Sequence, residues 1–122
     1  MGQGRVTICL VGETMDDSVY SMGVAEHADV GDETFALIFS APTPADSDGY
    51  SVVAEPGQRT DYNAIESCQL RRSELRLVLT DHAARVLDLP RELVLDPDVP
   101  DADIRKLESG LRRVGVPISA DL

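Results

Sequence analysis

Between Val6 and Thr80 the chain is a succession of short apolar runs, rich in β-branched residues, each cut off by turn-forming residues after 6 to 11 positions. The runs are VTICLVGET from Val6, VYSMGVAEH from Val19 to His27, ETFALIFSA from Glu33 to Ala41 and YSVVAE from Tyr50 to Glu55. TDYNAIESCQL from Thr60 to Leu70 follows, and then a run from Leu75 in which Leu75, Leu77 and Leu79 alternate with Arg76, Val78 and Thr80. Such composition and a period of two are the marks of β-strands. The breaks are short: Asp16-Asp17-Ser18, Asp29 to Asp32, Pro42 to Gly49, Glu55-Pro56-Gly57-Gln58 and Arg71 to Glu74. A parallel pair needs a crossover of about a dozen residues or more, usually a helix. The spacing therefore predicts an antiparallel meander sheet of six or seven strands. Pro56 and Gly57 fall where a type II turn takes them, so the chain reverses there. The stretch from Pro42 to Gly49 is nearly all Pro, Gly, Ser, Thr and Asp, with little to bury, and is expected to be the most mobile loop.

After Thr80 the period changes. Thr80 suits an N-cap, Asp81 a first helical turn, and Pro90 ends the segment. Glu92 to Leu95 reads as a short strand. Asp98 or Asp101 then caps a second helix, in which Ile104, Leu107, Leu111 and Val114 recur at helical spacing. Arg112 and Arg113 sit in its last turn, with Gly115 as the stop. The tail from Pro117 is expected to straggle. The fold class is α+β, with both C-terminal helices packed on one face of the sheet. At 122 residues the chain fits one domain, 1–122.

Charge narrows the function. The chain holds 22 acidic and 11 basic side chains, a formal net charge of -11. Residues 1–50 carry nine of the acids against one base, Arg5, while residues 51–122 are nearly balanced. A field of that sign repels nucleic acid and anionic membrane and attracts basic proteins. No apolar run approaches the roughly 20 residues of a membrane span, and no charged-then-apolar leader opens the chain. Two cysteines, Cys9 and Cys68, lie inside strand-like runs and suit buried free thiols in a reducing compartment. The expected location is the cytoplasm.

Signatures of catalysis are absent. His27 ends a strand and His82 lies in a first helical turn, with no neighbouring thiol to activate. The acidic run Asp96 to Asp103 lacks the central glycine and the closing glutamate of a calcium loop, having Asp101 and Leu107 there. Helix capping is its simpler account. No glycine-rich loop links a strand to a helix to hold phosphate. The reading is no catalytic residue, no metal site and no cofactor. Glu66 is awkward, because a regular strand places it on the face of Tyr62, Ala64, Cys68 and Leu70. Either a bulge turns it outward or it is a buried carboxylate with a partner.

A set of segments carries a resemblance. Gly49-Tyr50 opens a strand, a turn leads into Tyr62 and Ile65-Glu66-Ser67, the L-x-L-x-L-T-x-x-A-A run spans Leu75 to Ala84, and G-L-R-R spans Gly110 to Arg113. In this order and spacing they resemble the Immunity protein 10 family of bacterial polymorphic-toxin systems. The resemblance implies a non-enzymatic cytoplasmic antitoxin that binds and neutralises a cognate toxin domain. The acidic excess fits a basic partner, nucleases among them. For its contact surface the first-turn acids Glu13, Asp16 and Asp17 are the candidates, with Asp46 and Asp48 beside them, because the third connection of a meander returns to the same edge. The competing readings are a small enzyme or ligand-binding domain with a pocket between sheet and helices, and a homodimer paired through an open strand edge rather than a monomer.

Overall fold

The computed structural model describes residues 3–16, 18–26, 35–42, 49–55 and 57–121, with backbone alone at 3–5 and 121. Among these residues the order is β1 (Gln3–Ile8), β2 (Leu10–Asp16), β3 (Val19–Ala25), β4 (Ala36–Pro42), β5 (Ser51–Glu55), β6 (Arg59–Tyr62), β7 (Ile65–Arg71) and β8 (Glu74–Leu79). Then come α1 (Asp81–Leu87), β9 (Glu92–Pro97), α2 (Asp101–Val114) and β10 (Ile118–Asp121).

The fold is α+β with two helices, but the single antiparallel meander is wrong. Among the described residues ten strands form two sheets: a mixed one in the order β1-β9-β8-β7-β10, and an antiparallel one in the order β2-β3-β4-β5-β6. Two local events divide them. The run from Val6 breaks at Cys9, whose N–H donates to the Ala25 carbonyl at 2.9 Å while Asp98 N–H takes the Ile8 carbonyl at 2.8 Å. One residue thus hands the chain from the first sheet to the second. The run from Thr60 to Leu70 breaks at Asn63, which adopts φ 51° and returns the chain to the first sheet. The first sheet then closes with non-local pairs. β1 lies parallel to β9, Val6 opposite Leu95, and β10 lies parallel to β7, Ile118 opposite Cys68. The tail is therefore a strand, not a straggling end.

The helices follow the expected chemistry, with one correction. Thr80 caps α1, its hydroxyl accepting from Ala83 N–H at 3.0 Å. At α2 the N-cap is Pro100 rather than Asp98 or Asp101, and no side chain caps it. Its carbonyl takes Asp103 N–H, and Asp101 and Asp103 lie in the first turn, where carboxylates oppose the helix dipole. Gly115 ends the helix at φ 106°. Ile104, Leu107, Leu111 and Val114 are all buried. At about 1.5–3 kcal/mol for each such side chain, packing outweighs the ~1 kcal/mol that Gly110 costs the helix.

The inward faces of both sheets and this helical stripe form one core, with Phe39, Met22, Leu70, Leu77 and Leu107 fully enclosed. α2 packs on β2, β3 and β4, whereas α1 lies at β6 and β8, where the two sheets meet, so the helices do not cover one sheet face together. Cys68 is buried, as expected, but Cys9 at the crossing is exposed.

Candidate functional site

Alternation along the antiparallel sheet decides which side chains a partner can meet. The registers align one set of rows inward: Val11, Val24, Leu37 and Ala54, then Glu13, Met22, Phe39, Val52 and Asp61. The rows of the other face read Leu10, Ala25, Ala36, Glu55, then Gly12, Gly23, Ile38, Val53, Thr60, then Thr14, Ser21, Ser40, Ser51, Tyr62, and last Asp16, Val19, Pro42. An antiparallel sheet with one solvated face ordinarily presents polar side chains there. Thr14, Ser21, Ser40, Ser51 and Thr60 follow that rule, but Val19 is 41% exposed and Tyr62 67% exposed. Open depressions of about 250 and 220 Å³ lie on this face, the first lined by Val19, Pro42 and Tyr62, the second by Leu10, Gly12, Gly23 and Ile38. Asp16 and Glu55 are the charged side chains of these outward rows, and no base stands among them.

The anticipated acids are dispersed. Glu13 and Asp16, three residues apart on β2, point to opposite faces. Glu13 accepts the Tyr20 hydroxyl at 2.8 Å, and the Arg113 guanidinium lies 4.3 Å above the Tyr20 ring. Burial first, then the bond to Glu13 and its charge, push the Tyr20 hydroxyl up to about 12, against a downward pull from Arg113. Asp16 stands exposed beside Val19. Asp17, Asp46 and Asp48 lie outside the described residues, as do His27 and most of the loop expected to be mobile, residues 43–48. The strand registers do put the end of β2, the end of β4 and the starts of β3 and β5 at one end of the sheet, the end reached by the first and third connections.

The polar groups that suggested chemistry have structural partners. His82 Nδ1 lies 2.9 Å from Asp61 Oδ2, and Asp61 also accepts from Tyr62 N–H. The Cys68 thiol is pushed up to about 12 by burial, which keeps it protonated. Glu66 is turned outward by a bulge between Ile65 and Ser67 and meets Arg91 Nη2 at 2.9 Å. Arg91 also donates to the Leu79 carbonyl and sits 3.4 Å from Asp81, and these carboxylates, Glu66 foremost, raise its pKa. Among the described residues no three His, Cys, Asp or Glu side chains are grouped to hold a metal ion, and no helix is long and apolar enough to cross a membrane.

The segments that carry the family resemblance are joints of the fold. Tyr50 Oη accepts from Ile65 N–H at 3.0 Å and donates to the Ile65 carbonyl at 3.4 Å, stapling β7 to the start of β5. Gly49, at φ 88°, has Asn63 Oδ1 where a Cβ would stand. Gly110 lets α2 approach β3, since a Cβ there would collide with Met22 Cε and lie 2.7 Å from the Tyr20 hydroxyl. A family model, described as Immunity protein 10, matches residues 5–105 of the chain. No curated protein and no solved structure matches it.

Proposed function

The chain belongs to the Immunity protein 10 family, and from that premise we propose that it neutralises a cognate toxin domain by occupying it, without catalysis of its own. The observation that supports this beyond family membership is where the charge lies. Residues 10–62, which build the antiparallel sheet, hold 11 of the 22 acids and a single base, Arg59. A partner with a basic surface, a nuclease domain among the candidates, is drawn to that half of the molecule. Asp16 and Asp17, with Asp46 and Asp48 in the connection that leaves the same end of the sheet, are the acids proposed to steer it. Glu13 points to the other face and adds to the field rather than to that contact. The protein acts in the cytoplasm, where a toxin aimed at intracellular targets must be met.

The test is co-expression in a host cell with the toxin domain encoded beside this chain. Growth is expected to be restored, and a stoichiometric complex recovered from the lysate. Protection with no complex between the purified proteins would instead indicate that the chain works on the toxin or its product as an enzyme.

A further inference from the structure

Leu10, Val19 and Tyr62 stand exposed on the outward face, around a row of hydroxyls from Thr14, Ser21, Ser40 and Ser51. Large apolar side chains on an open face are a liability that a domain keeps small unless the face is used. Part of this face is also flat. Gly12 and Gly23 are paired across β2 and β3, next to Ile38 on β4. A Cβ at Gly12 would meet nothing within 4 Å, so no packing within the chain accounts for the missing side chain. The two glycines leave a low area of bare backbone between the raised Val19–Tyr62 end and Leu10. Asp16 and Glu55 stand at opposite ends of the rows.

We propose that the outward face of β2–β6 is the docking surface for the toxin, resting on the toxin-binding reading above, and that its occupant is a toxin surface whose exposed apolar side chains are ringed by Lys and Arg. Charge complementarity selects this occupant. The outward rows offer carboxylates without a base, in the half of the chain that holds nearly all the net charge. A second copy of the same face would set acid against acid. Five strands ~4.8 Å apart and about 3.4 Å per residue make the face roughly 20 Å on a side. That is the scale of the centre of a specific interface, which buries about 800 Å² on each partner, the rim supplying the rest.

The experiment measures binding of the neighbouring-encoded toxin domain, in an inactivated form, to wild-type chain and four variants. Tyr62→Ala and Val19→Ser remove exposed apolar anchors. Gly12→Gln adds bulk where the fold has open space, so it leaves folding intact while blocking a close approach. Arg105→Ala, exposed on α2 and away from this face, is the control. The three face variants are each expected to weaken binding at least tenfold, mostly through faster dissociation, with unchanged thermal unfolding, and the control to bind as wild type does. Wild-type affinity in all three face variants would place the interface elsewhere and overturn this surface, while leaving the toxin-binding reading standing. No binding by the wild type would overturn both. A dimer of this chain that dissociates in Gly12→Gln, with toxin binding unaffected, would assign the face to a second copy and likewise overturn the proposal.

Discussion

Tyr20 gathers three contacts: its hydroxyl donates to Glu13, Arg113 lies over its ring, and its hydroxyl also faces the helix where Gly110 makes room. Burial first, then the bond to Glu13 and its charge, make ionisation costly and outweigh the opposite pull of Arg113. The proton is therefore bound more tightly in the folded chain than in the unfolded one, whose tyrosine keeps the ordinary value of 10.0. Below pH 10 both states carry the proton and the stabilisation is whole. Between pH 10 and about 12 the unfolded state has lost its proton while the folded state keeps it, so stability falls as pH rises through that window. Tyr50 and Cys68 are raised by burial and act in the same direction. Denaturant midpoints measured from pH 9 to pH 12 are expected to decline more steeply for the wild type than for Tyr20→Phe. Equal slopes would mean that Tyr20 ionises as freely folded as unfolded.

Gly110 decides how closely α2 lies on the antiparallel sheet. Replacing it by alanine improves helix propensity by about 1 kcal/mol, yet drives a methyl group into Met22 and Tyr20, and overpacking of this kind costs about 1–3 kcal/mol. Met22 Cε is the end of a flexible side chain and can give, but Tyr20 is held on three sides. The expected result is a net loss of about 1 kcal/mol for Gly110→Ala and clearly more for Gly110→Val, read from urea unfolding. A stabilised alanine variant would show that the approach is loose. The glycine itself stood out in the sequence only as part of G-L-R-R, and its role needed the helix seated on its sheet. Other elements were legible because their causes are local. Thr80 caps with its own hydroxyl, Gly115 stops α2 with its own backbone, and the Ile104–Val114 stripe follows from a period of 3.6 residues. What could not be read was pairing at long range. Nothing near Val6 announces that it will lie beside Leu95, or near Ile118 that it will lie beside Cys68. The Cys9 crossing looked like the middle of one strand, since both sides of it are apolar and β-branched. The turn at Asn63 carried a faint signal, an Asn inside a strand-like run, and asparagine tolerates positive φ. The exposed apolar side chains of the outward face were likewise hidden. Val19, Ile38 and Tyr62 read as ordinary strand residues until the register showed which side they occupy.

At the scale of the whole molecule, the proposed complex divides the labour of binding between charge and apolar surface. Screening makes the difference measurable, because exposed charges act over a Debye length of about 10 Å at 0.1 M salt, whereas apolar contact acts only once surfaces touch. In the proposed complex the charge of residues 10–62 therefore governs how fast a basic toxin arrives, and the sheet face how long it stays. The association rate of the wild type is expected to fall as ionic strength is raised from about 20 mM to about 500 mM, while the dissociation rate changes little. Reversing Asp16→Lys together with Asp17→Lys changes the net charge of that half by four. It is expected to slow association at low salt roughly tenfold and to flatten its salt dependence. Folding should be nearly untouched, because Asp16 is exposed and exposed charges contribute about 0–1 kcal/mol. Stopped-flow association at several salt concentrations, beside urea unfolding of the same variant, separates the two effects. An unchanged rate with an unchanged salt slope would mean that the partner is not steered to this end of the sheet, and that the acids serve another part of the surface.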